Sequence, residues 1–163
     1  NFDYDQIFYD NIEYFLQEYQ AWEKYAVIGG VDNVFHYENF LAFTPENLTT
    51  FYSSQDEVGT DIEELYWDFI GGYTVYNVEG YDNLKILTLD YDSNGTEEFE
   101  LSVINDEAIS LYHNASGTTY EFTGRGFIQY LKPDGRKKDS VRNDGRKRTK
   151  VERETVKRKK HIK

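Results

Sequence analysis

From Leu84 to Gly124 the chain alternates apolar and polar residues in four runs, each broken at a turn-forming cluster. The breaks fall at Ser93-Asn94-Gly95, at Asn105-Asp106 and at Asn114-Ala115-Ser116-Gly117. Phe99, Leu101 and Val103 share one face, with Glu98, Glu100 and Ser102 on the other. Ile109 with Leu111, then Tyr120 with Phe122, repeat the pattern. A period of two between short polar breaks predicts an antiparallel meander with one wet face. Its buried face is expected to hold those seven apolar residues.

Upstream the period changes. Tyr4, Phe8, Ile12, Phe15, Tyr19 and Trp22 recur every three or four residues, with Asp5, Asp10, Glu13 and Glu18 off the stripe. That spacing predicts a helix that docks on or plugs a barrel end. The alternative is that the chain from about Phe15 already belongs to a first strand. Residues 21–28 read as a strand stopped by Gly29-Gly30, and 39–44 and 48–53 as a hairpin around Thr-Pro-Glu-Asn. Residues 61–69 fit either a helical turn or a strand, and Tyr73 to Val78 is a further strand. About eight strands at this spacing predict a mostly β fold, a small antiparallel up-and-down barrel or a sandwich, with an N-terminal helix.

Charge divides the chain. Before residue 132 there are three cations, Lys24, Lys85 and Arg125, against 25 carboxylates, a net −22; the remainder has 15 cations against 5, a net +10. The expected organisation is a helix over 1–20, an acidic barrel over 21–131 and a basic extension over 132–163. In that extension, 132–141 and 142–151 form a ten-residue repeat of Asp-Gly turns and basic triplets. Its low hydrophobicity and high charge predict that it does not fold by itself. Without cysteine the chain makes no disulfide, thiolate nucleophile or Cys-type zinc site. No initiator Met or leader precedes Asn1 in this sequence, and the expectation is a processed protein, exported by a bacterium.

The order of segments resembles the small lipocalin-like domains of bacterial secreted and outer-membrane lipoproteins. Trp22 matches the Trp of their first strand, and 40–52 their Phe-rich strand and turn. Gly72-Tyr73-Thr74-Val75-Tyr76 matches the next strand, and Leu87-Thr88-Leu89 the one after it. Tyr120-Glu121-Phe122-Thr123-Gly124-Arg125 matches the aromatic strand that closes in Arg. The resemblance covers about residues 20–126 and implies a secreted or surface-tethered accessory protein without catalytic activity. A lipidated cysteine ahead of Asn1 would lie outside this sequence.

Candidate chemistry follows from composition. Fifteen Tyr and eleven Phe suit a filled barrel core or an aromatic-lined cavity for an apolar or sugar-like ligand. Trp22, Phe43, Phe51, Tyr76, His113 and Tyr120 are its expected lining. Asp90, Asp92 and Asn94 match the opening of a calcium loop, but the position needing a bidentate Glu is Leu101, and a hairpin turn accounts for the same residues. No nucleophile elbow, phosphate loop or His-Glu-x-x-His occurs, and the expectation is a non-enzyme without a cofactor. The acidic body alternatively mimics nucleic acid and inhibits a basic partner. Arg136, Lys137, Lys138, Arg146, Lys147 and Arg148 are the candidates for polyanion contact, whether an external polyanion, a neighbouring copy or the chain's own acidic body.

Overall fold

The computed structural model describes residues 4–44 and 50–128, with side chains from residue 6 onward. The alternating runs pair in order and close on themselves. The strands are β1 (Tyr19–Ile28), β2 (Phe40–Phe43), β3 (Thr50–Ser54), β4 (Phe69–Val78), β5 (Tyr81–Tyr91), β6 (Thr96–Asn105), β7 (Ala108–His113) and β8 (Thr118–Phe127). Each pairs antiparallel with the next and β8 returns to β1, giving a closed eight-stranded barrel. Closure removes sheet edges wherever the pairing is complete.

Register decides which face is inside. Leu87 lies opposite Phe99, Phe99 opposite His113, Leu101 opposite Leu111, and Leu111 opposite Tyr120. A one-residue slip would turn every one of these outward. All seven apolar residues expected inside the meander are buried, while Glu98, Glu100 and Glu121 lie half-buried on the outer face. Gly124 is required by packing. A Cβ there would sit 2.4 Å from the Tyr19 ring, which lies across β8.

The N-terminal stripe is shorter as helix than its spacing suggests. It forms α1 (Tyr4–Asp10) and α2 (Ile12–Leu16), broken at Asn11, whose φ of −121° is not helical. β1 then starts at Tyr19, so the expected boundary at residue 20 falls inside a strand. Closing the barrel against β8 outweighs local helical spacing there, because Tyr19 pairs with Phe127. Ile12, Phe15 and Leu16 are buried, Phe15 meets Trp22 edge-on at 5.5 Å, and the Trp22 indole N–H donates to the Leu16 carbonyl at 2.9 Å. The Tyr9 hydroxyl accepts from the Val103 N–H at 2.7 Å. The two helices therefore cap the end of the barrel where β1 begins and β6 ends.

The opposite end is closed by a 3-10 helix, Val34–Tyr37, between β1 and β2. Phe35 drops from it into the barrel among Phe99, Tyr120 and Phe122, with ring centroids 4.7, 5.2 and 6.4 Å away. Residues 61–69 divide into a 3-10 helix (Ile62–Glu64), an extended link and the start of β4.

Candidate functional site

The barrel seam is incomplete beside β1. β8 stays paired with β1 as far as Ile28, but β2 pairs with it only at Trp22 and Glu23. One more bond, from the Lys24 N–H to the Asn39 carbonyl, follows before the chain on that side departs into the 3-10 helix. A register shift between Lys24 and Ala26 re-aims β1 at the same point. The gap is an open cleft of about 530 Å³ lined by Lys24, Val27, His36, Tyr37, Asn39 and Gln55. That volume suits a small-molecule ligand.

Lys24 is 5% exposed although it lines this cleft. Its ammonium donates to the His36 carbonyl at 2.5 Å and lies 4.9 Å from the centroid of the Tyr120 ring. Burial lowers its pKa to about 8, against the opposing pull of Glu38. Glu38 is likewise 5% exposed. Its Oε1 accepts from the Ser53 hydroxyl at 2.5 Å and the Tyr91 hydroxyl at 2.7 Å. Burial raises its pKa to about 7 in spite of those two bonds and of Lys24; Glu97 adds to the rise. The Tyr91 phenol is in turn pushed up, by burial first and by Glu38 second. A buried amine and a buried carboxyl thus both titrate near neutrality beside one cleft. Shifts of this kind cluster at functional sites and also arise in structural charge networks, and here they coincide with a cleft.

The other two cations of the acidic body are engaged elsewhere. Arg125 pairs with Glu23 at 2.6 Å, and Glu23 also accepts from the Gly59 N–H at 2.6 Å, which ties the 55–68 segment to the wall. Lys85 donates to Asn77.

Of the residues expected to line a ligand cavity, Trp22, Phe43, Phe51, Tyr120 and His113 are buried, and all but His113 belong to one packed apolar core. Tyr76 is buried too, but alternation puts it on the face of Thr74, opposite Tyr73 and Val75. His113 has both ring nitrogens engaged, Nε2 with Glu97 at 2.6 Å and Nδ1 with Ser116 at 2.7 Å, and its ring stacks on Phe35 at 6.1 Å.

Asp90, Asp92 and Asn94 lie at the β5–β6 hairpin. Asp90 accepts from the Thr96 hydroxyl at 2.8 Å, the Asp92 N–H donates to the Ile70 carbonyl, and Asn94 takes a φ of 106° with its side-chain oxygen on the Gly95 N–H. Among the described residues no group of three or more His, Cys, Asp or Glu is placed to hold a metal ion. The basic candidates Arg136, Lys137, Lys138, Arg146, Lys147 and Arg148 lie outside the described residues.

Pattern reasoning missed Lys24, His36, Tyr37, Glu38, Asn39 and Gln55. One signal was present: Lys24 is the only cation among the first 84 residues, and it sits inside the apolar run 21–28.

Comparison with protein-family models, with curated proteins and with solved structures found no match to this chain.

Proposed function

We propose that the chain is a lipocalin-like, non-catalytic binding module that holds a small ligand in the cleft beside β1. The observation that carries this reading is the juxtaposition of the cleft with the buried Lys24 and Glu38, in a barrel whose interior aromatics are already packed. Lys24, His36, Asn39 and Gln55 offer polar contacts, while Val27 and Tyr37 offer apolar wall, the mixture that orients a small ligand. The cysteine-free, strongly acidic body fits an exported accessory protein tethered at a bacterial surface; a precursor gene lacking an export signal would remove that part of the reading.

The test is amide NMR of the full chain titrated with a panel of aromatic alcohols and monosaccharides. Binding at the cleft shifts Val27, Tyr37, Asn39 and Gln55 and leaves Leu87 and Leu101 in place. Shifts centred on Leu87, Leu101 and Ile109 would put the ligand inside the barrel and overturn the assignment.

A further inference from the structure

Lys24 has the surroundings of a nucleophile as well as those of a ligand contact. It is 5% exposed and lines the cleft, so a molecule seated there lies against it. Tyr37 and Val27 give the cleft an apolar wall for a flat ring, and Asn39 and Gln55 present polar groups for its substituents. Glu38 stands between Tyr37 and Asn39, two residues of the cleft wall, Ser53 and Tyr91 fix its carboxyl in place, and its charge acts on Lys24. A desolvated amine and a positioned proton donor on one cleft wall are what carbonyl condensation needs.

Resting on the cleft as the binding site, we infer that Lys24 captures aromatic aldehydes there as a reversible imine, with Glu38 as proton donor and counter-ion. The neutral Lys24 amine attacks the carbonyl carbon, and its surplus proton passes to the former carbonyl oxygen, giving a carbinolamine. The Glu38 carboxyl gives its proton to the carbinolamine hydroxyl, the C–O bond breaks and water leaves. The product is a protonated imine on Nζ, its charge balanced by the Glu38 carboxylate. One aldehyde and one amine yield one imine and one water, with no oxidant or reductant. Lysine amines shifted towards neutrality by burial serve this chemistry because a larger fraction is unprotonated at working pH.

The experiment treats the full chain at pH 7.5, between the values of Glu38 and Lys24, with 4-hydroxybenzaldehyde and sodium cyanoborohydride, then maps modified lysines by mass spectrometry. The expected result is modification of Lys24 at least about tenfold faster than of Lys85 or any lysine after residue 131, slowed about tenfold in Glu38→Gln. The non-condensing 4-hydroxybenzyl alcohol is expected to protect Lys24. Modification of Lys24 no faster than of Lys85 overturns the inference. If the alcohol perturbs the cleft in NMR yet the aldehyde leaves Lys24 unmodified, capture is wrong and simple binding stands. If neither compound perturbs the cleft and Lys24 stays unmodified, both readings fail for this ligand class. Lys24→Met checks the mapping, and the wild-type rate comparison stands even where that variant does not fold.

Discussion

The two ends of the barrel are closed by the same device and furnished with titratable groups in unequal measure. At one end α1 and α2 push Ile12, Phe15 and Leu16 onto Trp22, and the polar atoms close to that plug form short direct bonds, Trp22 to Leu16, Tyr9 to Val103 and Gln17 to Tyr73. At the other end Phe35 is the plug, and around it stand Lys24, Glu38, Tyr91, Glu97, His113 and Tyr120. Burying ionisable groups opposes folding unless each is compensated, and Glu38 and Lys24 are compensated only in part, as their opposed shifts show. Among the described residues the helical end buries one carboxyl, Glu13 on α2, whereas the Phe35 end gathers Lys24, Glu38, Glu97 and His113. The larger titratable cluster lies beside the cleft, which is the physical reason for assigning binding to that end.

The largest test strikes the apolar end. Phe15→Ala removes a ring that is 2% exposed and should cost about 3–5 kcal/mol in a urea titration. A loss under about 1 kcal/mol would mean that α2 does not plug the barrel.

Glu38→Gln probes the titratable end. Its carboxyl has a folded pKa of about 7 against an ordinary value of 4.5. The stability it contributes is therefore complete below about 4.5 and is lost as pH rises through about 7. The loss is at most about 3 kcal/mol, reduced by the coupling to Lys24. Lys24 has the reverse sign: its folded value of about 8 lies below the ordinary 10.5, so its contribution is complete above 10.5 and lost as pH falls through 8. Gln can still accept from Ser53 and Tyr91. The variant should gain on the wild type by about 1–3 kcal/mol between pH 5 and pH 8. Parallel stability curves for the two proteins over that range would show that Glu38 is not held neutral by burial.

How much of this was legible follows the same division. The meander β5–β8 could be read residue by residue, because each buried side chain there obeys a period of two and each turn carries its own signal, as Asn94-Gly95 does. The helical stripe was visible as well, though not its break at Asn11. The site was not legible. Glu38 lies between a 3-10 helix and a strand, where no periodicity reports burial, and its partners Ser53 and Tyr91 are 15 and 53 residues away. The cleft exists because β2 leaves β1 after Glu23 while β8 does not, a mismatch between pairings that are distant in sequence.

Glycine substitutions sharpen the comparison at smaller scale. Gly80, in the β4–β5 turn at the helical end, has φ +87° with nothing within 4 Å of a built Cβ. Gly30, at the Phe35 end, has φ +74° and would place a Cβ 2.0 Å from the Thr118 side-chain oxygen and 2.5 Å from its backbone N. Gly80→Ala should cost only the left-handed strain of about 1–2 kcal/mol. Gly30→Ala should cost more than that, because β8 would have to move. Equal melting temperatures for the two variants would show that the 29–39 segment does not press on β8.

The smallest expected effect concerns whether the titratable end also holds a cation. The β5–β6 turn lies at that end and presents Asp90, Asp92 and Asn94, yet two of the three already serve the hairpin through their side chains, Asp90 on the Thr96 hydroxyl and Asn94 on the Gly95 N–H. A calcium ion would have to replace those bonds and find six or more oxygens, including the bidentate carboxylate for which the chain offers Leu101. Divalent ions should still raise the melting temperature slightly by screening the acidic body, and calcium and magnesium should do so alike. Asp92→Ala should leave that small rise unchanged. A rise specific to calcium that disappears in Asp92→Ala, followed by differential scanning calorimetry at millimolar ion, would make the turn a metal site and give the Phe35 end a second ligand besides the one proposed for the cleft.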